Sequence, residues 1–297
     1  MDEPVLFEVA SAKVNISLRV LGRRPDGFHE IDSLVMFGAV GDHLRLAVGA
    51  PVSVTTRGPF ASAVVGENLV ARTLALLAER APHLKLGAIT IDKFLPVAAG
   101  LGGGSANAGA TLRLVKRANP EHAATVDWMA LAAELGSDVP VCFIQRACHI
   151  KGRGEIITHV PGVERFCVVL VNPQVQVPPD KTAQVFRRLA APPFDPSKPV
   201  EELLENKNAA TPGERFAHMR NDLEAPATAV IPAIAEVLTT LKADRRSQLV
   251  RLSGAGPTCF AVCSYSDPCD ELADHLAEAH PSWWVSSTYL GDPLSGA

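Results

Sequence analysis

The densest run of residues able to do chemistry is Pro96-Val97-Ala98-Ala99-Gly100-Leu101-Gly102-Gly103-Gly104-Ser105-Ala106, with five glycines falling between Gly100 and Gly109. Glycine has no Cβ, so the backbone can come close to a ligand. Successive N–H groups can then line an anion-binding concavity. A helix beginning near Ser105 adds its positive end and its unpaired N–H groups to the same place. A phosphate chain is the natural occupant. The chain contains no Gly-Lys dipeptide, so this is not a Walker A loop, and the spacing G-x-G-x-x-G fails because Ser105 follows. A flexible turn with tight helix packing is the plainer reading of any single glycine; the whole run between a strand and a helix favours phosphate.

Four further stretches carry functional side chains. Lys13 stands in Ala12-Lys13-Val14-Asn15, where a strand lysine is ordinarily a solvated side chain. Asp138 stands in Gly136-Ser137-Asp138-Val139-Pro140, where it fits a helix cap, a turn, or a general base acting on a substrate hydroxyl. Spacing alone does not pair it with Lys13. In Asp26-Gly27-Phe28-His29-Glu30 an aromatic and an imidazole follow a turn, fitting plain core or a stacking face with a hydrogen-bonding edge. Leu252-Ser253-Gly254-Ala255-Gly256-Pro257-Thr258 is a second glycine turn, of a kind common in hairpins.

The elements that must position these residues read as mixed α and β. Strand-like alternation covers Val5–Val9, Val14–Val20, Leu44–Val48 and Gly87–Lys93, and apolar runs suit strands at Val141–Ile144 and Phe166–Val171. Helical spacing predicts Asn68–Arg80, Ser105–Ala118, Trp128–Leu135, Thr182–Leu189, Glu201–Leu204, Glu224–Thr228, Ala233–Lys242 and Asp270–Ala279. Leu249–Tyr265 reads as strand, glycine turn, strand, and Trp284–Leu290 as a last strand. Strands and helices interleave without regular alternation, which favours α+β over a doubly wound sheet. The weakest break in composition lies near Gly162.

With 297 residues, 47% hydrophobic and 20% charged, the chain has ample material for a folded core, which excludes disorder and a small disulfide scaffold. A net charge of −4 argues against a nucleic-acid or anionic-membrane binder. It does not argue against phosphate held by backbone N–H groups. No basic n-region precedes an apolar run at the N-terminus, and the longest uncharged run, Phe94–Leu112, is too glycine-rich for a membrane span. The six cysteines form no C-x-x-C pair and sit mostly in apolar stretches, as reduced buried thiols of a cytoplasmic protein would.

Taken together, the pieces resemble the GHMP small-molecule kinases. G-L-G-G-G-S after Pro96 looks like that family's central motif, and S-G-A-G-P-T at 253–258 like its C-terminal motif. AKVNISL at 12–18, RRPDGFHEIDSL at 23–34, ENLVARTL at 67–74, GSDVPVCF at 136–143, GRGEI at 152–156, TAQVF at 182–186 and RNDLE at 220–224 extend the likeness through nearly the whole chain in family order. The resemblance implies a two-domain α+β GHMP kinase fold with the active site in the interdomain cleft. The domains would be residues 1–161, with the ATP-binding loop, and 162–297, with the last strand a candidate to return to the first.

It also implies roles. Asp138 matches the family's general base and Lys13 its catalytic lysine. Pro96 to Ala106 would cradle the triphosphate of ATP, with Mg2+ as counterion and no ligand for it indicated. Asn68 and Lys93 match positions near the adenine. The set AKVN, DGFH and G-L-G-G-G-S is similar to that of members whose small-molecule substrate carries a cytidine diphosphate handle on a methylerythritol unit. In that likeness His29 meets the cytosine edge, Phe28 and Phe186 sandwich its ring, and Asn15, Thr182 and Asp138 add substrate contacts. No nucleic-acid or membrane partner is implied, and the oligomeric state is left open between monomer and weak dimer. Three departures stand out: Phe28 where relatives often have Tyr, Ala255 where Ser is common, and a longer stretch at 177–182, which loosens the placement of Thr182. The competing readings are a homoserine- or mevalonate-type kinase, which would lack DGFH and TAQVF, and a non-catalytic relative, which should have lost Lys13 or Asp138.

Overall fold

The computed structural model describes residues 4–66, 68–198, 206 and 208–291. The strands are β1 (Val5–Asn15), β2 (Arg19–Arg23), β3 (His29–Val48), β4 (Ser53–Arg57), β5 (Gly87–Asp92), β6 (Cys148–Gly152), β7 (Ile156–His159), β8 (Phe166–Asn172), β9 (Leu249–Leu252), β10 (Cys259–Val262) and β11 (Trp284–Leu290). The helices are α1 (Leu69–Arg80), α2 (Gly103–Ala118), α3 (Trp128–Leu135), α4 (Val139–Ile144), α5 (Lys181–Leu189), α6 (Pro212–Arg215), α7 (Glu224–Val230), α8 (Ala233–Ala243) and α9 (Ser266–Ala279). Two units are distinguished. One holds the chain up to Lys13 with residues 40–97 and 102–145; the other holds residues 14–39, 98–101 and the chain from 146 on.

In the first unit, β5 pairs antiparallel with residues 43–48 of β3 and parallel with β4. Helices cover this sheet because their apolar residues recur at helical spacing. In α1, Val70, Thr73, Leu74 and Leu77 are buried, and Asn68 starts the helix by accepting the Val70 N–H at 2.9 Å. The buried face of α2 includes Ala106, Ala108, Ala110 and Gly109. These small residues let α4 pack closely: a Cβ on Gly109 would lie 2.7 Å from the Cys142 carbonyl carbon. The apolar run from Val141 to Ile144, expected as a strand, is therefore a helix. Pro140 sits in its first turn, where a missing N–H costs nothing.

In the second unit, β2 and β6 pair with the first part of β3, and β7 pairs with β6. Leu290 of β11 bridges to Gly38 of β3. From β11 the pairing continues antiparallel through β8 and β10 to β9. All seven residues of β8 are buried, which is why its sequence is a continuous apolar run without alternation. Ile234, Val237, Leu238 and Leu241 of α8 and Cys269, Leu272 and Leu276 of α9 join Val169, Val171 and Ala261 in one core. Each fully buried aliphatic side chain contributes about 1.5–3 kcal/mol. All six cysteines are buried, and none is joined in a disulfide. The helix expected at 201–204 lies outside the described residues. Among the described residues no helix is long and apolar enough to cross a membrane.

Candidate active site

In the first unit the structure brings Lys13 and Asp138 together. Lys13 lies in the buried half of β1, 5% exposed, and its Nζ is 2.8 Å from Asp138 Oδ2. Asp138 precedes α4 and makes no side-chain capping bond to that helix. Its carboxylate is thus committed to Lys13 while its side chain stays 41% exposed. Burial alone would push the Lys13 ammonium down. The Asp138 carboxylate, helped by the Cys142 thiol, outweighs it and holds Lys13 above the ordinary lysine range. A solvent-reachable carboxylate backed by a buried ammonium can take a proton from a hydroxyl while the cation offsets charge on an incoming phosphoryl group.

The same lysine touches the glycine segment. A Cβ on Gly102 would stand 3.2 Å from Lys13 Cβ and 3.4 Å from its Cε, and Gly102 itself has φ +65°. The positive φ favours glycine there, and the lysine stem leaves a Cβ little room. Gly102 immediately precedes α2, whose N-terminus has no side-chain cap, so first-turn N–H groups of Gly103, Gly104 and Ser105 face no competing side-chain oxygen.

Lys93 is buried in an ion pair, Nζ 2.5 Å from Asp42 Oδ2. It also lies against α2, 3.2 Å from where a Gly103 Cβ would be. Asp42 is fully buried, and its other oxygen accepts the N–H groups of Phe94 and Leu95, each at 2.8 Å. One carboxylate thus fixes the turn that enters the glycine loop. Sequence reasoning missed it; the signal was an acid, Asp42 in GDHLRL, at the head of an alternating strand. Asn68 acts structurally as the α1 cap, as described above.

In the second unit, the other half of the loop is stitched to the 253–258 turn. Ser253 Oγ donates to Gly100 O at 3.0 Å, and Thr258 N–H donates to Ala99 O at 3.0 Å. A Cβ on Gly100 would come within 2.6 Å of Ser253 O and 2.8 Å of Gly256 O. Asn15 is buried beside this turn: its N–H donates to Ser253 Oγ at 3.3 Å and its Nδ2 to Ser33 Oγ at 2.8 Å. Ala255, in place of the common Ser, is buried and leaves these bonds untouched.

The aromatic residues of the second unit form two contacts. His29 stacks on Phe186, ring centroids 4.7 Å apart at 29°. Phe28 is half exposed, with the Arg153 guanidinium 4.9 Å from its ring centroid. Thr182 and Phe186 are four residues apart on α5 and share a face. Burial, with Arg23 nearby, lowers the His29 pKa, favouring the neutral imidazole. Arg153 is the partner that motif reading left out, although it sits within the GRGEI stretch.

Comparison with known proteins follows the same lines. GHMP kinases N terminal domain matches residues 68–146, and GHMP kinases C terminal matches residues 200–282. The two matched segments and the α+β scaffold are therefore those of a GHMP small-molecule kinase, for which ATP is the co-substrate. A homoserine kinase from Cytophaga hutchinsonii shares the fold, with TM-score 0.66 at 14% identity over 97% of this chain and 95% of that one. A crystal structure of 4-(cytidine 5'-diphospho)-2C-methyl-D-erythritol kinase superposes with TM-score 0.74 at 28% identity, over 97% of this chain and 100% of that one. The 4-diphosphocytidyl-2-C-methyl-D-erythritol kinase of Rhodopseudomonas palustris (strain ATCC BAA-98 / CGA009) is 43% identical over 294 residues, 96% of this chain and 97% of its own length. That of Methylobacterium radiotolerans is 42% identical, covering 96% and 99%. This chain belongs to the 4-diphosphocytidyl-2-C-methyl-D-erythritol kinase family.

Proposed function

We propose that the chain transfers the γ-phosphoryl group of ATP to the 2-hydroxyl of 4-diphosphocytidyl-2-C-methyl-D-erythritol, giving the 2-phosphate and ADP, in the non-mevalonate route to isoprenoid precursors. The observation that carries this reading is the Lys13–Asp138 pair, 2.8 Å apart, with the lysine stem against Gly102 at the start of α2. Asp138 accepts the proton of the attacking hydroxyl, and Lys13 orients that carboxylate and offsets charge on the transferred phosphoryl. Positioning and electrostatics of this kind do most of the work in phosphoryl transfer.

Pro96 to Ala106 cradles the triphosphate, with Asn68 and Lys93 on the adenine side. The Asp42 ion pair gives Lys93 a second task, bracing the loop. His29 reads the cytosine edge as a neutral imidazole, and Phe28 and Phe186 supply ring faces, with Asn15 and Thr182 as further contacts. Base–aromatic stacking is worth about 1–3 kcal/mol per base, which explains why a small polyol carries a nucleotide handle.

Mg2+ accompanies the nucleotide. Among the described residues no group of three or more His, Cys, Asp or Glu side chains could cage it. Its oxygens would come mainly from phosphates and water, the usual habit of this ion, and it neutralises phosphate charge. A division of the chain near Gly162 falls between the two matched GHMP segments, whereas the compact units cut the chain differently, residues 14–39, 98–101 and 146–161 grouping with the second. ADP release measured with the cytidyl substrate, mevalonate and homoserine tests the assignment: turnover with the first alone is expected, and turnover with mevalonate alone would overturn it.

A further inference from the structure

One buried cation has no part in the chemistry described so far. Lys181 opens α5 and is 5% exposed, yet among the described residues no carboxylate pairs with it. Its Nζ instead donates to two backbone carbonyls, Ala98 O at 2.9 Å and Gly256 O. The first belongs to the glycine loop and the second to the 253–258 turn. Ala98 has φ +54°, a left-handed conformation that a non-glycine residue keeps only when its surroundings hold it. The ammonium lies where it can do that, alongside the Ser253 and Thr258 bonds to Gly100 and Ala99.

We propose that Lys181 is a positioning residue for the nucleotide, its ammonium pinning residues 98–101 of the phosphate loop to the 253–258 turn. The proposal rests on the reading of Pro96–Ala106 as the phosphate cradle. Burial pushes Lys181 down to about 8, with no opposite charge to restore it. An unpaired buried ammonium is a poor packing device, since an apolar side chain would fill the same space without desolvating a charge. Charge-assisted bonds to carbonyls, by contrast, are about twice as strong as neutral ones, which suits a pin. The alternative is that Lys181 merely anchors α5, which carries Thr182 and Phe186. The two roles differ in which ligand they affect.

The titration of this group is easily isolated. Neither 98–101 nor 253–258 contains an ionisable side chain. On α5, Asp180 is engaged by Arg187 at 3.0 Å. On α7, which packs against α5, Glu224 accepts the Leu252 N–H and lies 3.5 Å from Lys242.

The test uses the full-length protein as wild type, Lys181→Met and Lys181→Arg, with binding of a non-hydrolysable ATP analogue followed by calorimetry and KM values for both substrates. Lys181→Met should weaken the ATP analogue tenfold or more while the KM of the cytidyl substrate stays within twofold. Lys181→Arg, which keeps a cation, should remain within threefold of wild type. Between pH 7 and 9.5 wild type should lose ATP-analogue affinity several-fold, with Lys181→Arg unchanged, an arm that stands even if Lys181→Met does not fold. Unaltered analogue binding in Lys181→Met, a shift in the cytidyl KM instead, or identical pH profiles for wild type and Lys181→Arg would each overturn the proposal. Failure of wild type itself to bind the analogue would overturn the kinase reading and the proposal with it.

Discussion

Replacing Asp138 by Asn changes one charge and almost no volume, so its effects can be worked out from the Lys13 contact. The amide keeps an oxygen that can accept from Lys13 Nζ, now 2.8 Å from the carboxylate, but it cannot take a proton from a hydroxyl. Loss of a general base of this kind lowers turnover by about 10²–10⁴-fold, or about 3–5 kcal/mol in the barrier. The stability effect is smaller. Severing a fully buried pair costs about 3–5 kcal/mol, but the Asp138 side chain is 41% exposed and the amide still accepts a hydrogen bond, which brings the cost to about 1–2 kcal/mol. With the two contributions of Asp138 gone, burial, the largest influence, is opposed by Cys142 alone and lowers the Lys13 pKa from its wild-type position. The assay is coupled ADP release for kcat and both KM values, with a thermal melt beside it. The expected result is a collapse of kcat, an ATP KM within threefold of wild type, and a fall in Tm of about 2–6 °C. A kcat within threefold of wild type would refute the role of Asp138. A tenfold rise in the ATP KM with unchanged kcat would refute the division of labour.

Three other outcomes follow from the same contacts. His29→Ala removes both the imidazole edge and its stack on Phe186, and should raise the KM of the cytidyl substrate at least tenfold while leaving the ATP KM nearly unchanged; equal changes in both would reject a cytosine-reading role. Asp42→Asn leaves the buried Lys93 ammonium without its counter-charge and should cost about 3–5 kcal/mol in urea denaturation; a loss under about 1 kcal/mol would show that the pair does not brace the loop. Lys181 has a folded pKa of about 8 against 10.5 for the free side chain. Below pH 8 both states hold the proton and the cost of burying it is fully present. Above pH 8 the unfolded chain holds more protons than the folded one, so this group's contribution to stability rises with pH. The stability of wild type relative to Lys181→Met should therefore increase by about 2 kcal/mol between pH 7 and 9.5, and a constant difference would contradict that burial.

Much of the scaffold is legible in the sequence because its signals are local. Asn68 before a helical apolar stripe, the six-residue apolar run that opens β8 and the spacing of Cys269, Leu272 and Leu276 each dictate an element without help from distant residues. The segment from Val141 to Ile144 is not legible in that way. A short apolar run suits a strand or a buried helix equally, and what decides is Gly109, which lets α2 lie against it. The first part of β3 escaped notice for a related reason: its residues from Asp32 to Phe37 are all buried, so no alternation marks them.

The site divides similarly. The glycine loop announces itself because backbone approach needs consecutive glycines. Lys13 and Asp138 are each ordinary in their own stretch, and only the fold makes them a pair. Asp42 and Lys181 act through backbone N–H and carbonyl groups, which have no residue signature at the receiving end. The expected aromatic pair is drawn differently by the contacts, Phe186 with His29 and Phe28 with Arg153. Arg153 thereby occupies the face of a ring that the sequence assigned to the substrate alone.

The central claim is that phosphate moves from ATP to one particular hydroxyl of a cytidyl-linked polyol. Phosphorus NMR of the reaction of purified protein with ATP, Mg2+ and 4-diphosphocytidyl-2-C-methyl-D-erythritol tests it most directly. One new phosphomonoester resonance, coupled to no other phosphorus and assigned to the 2-position, is expected to grow in step with ADP. ADP formation without that resonance, or a new ester at another hydroxyl, would contradict it.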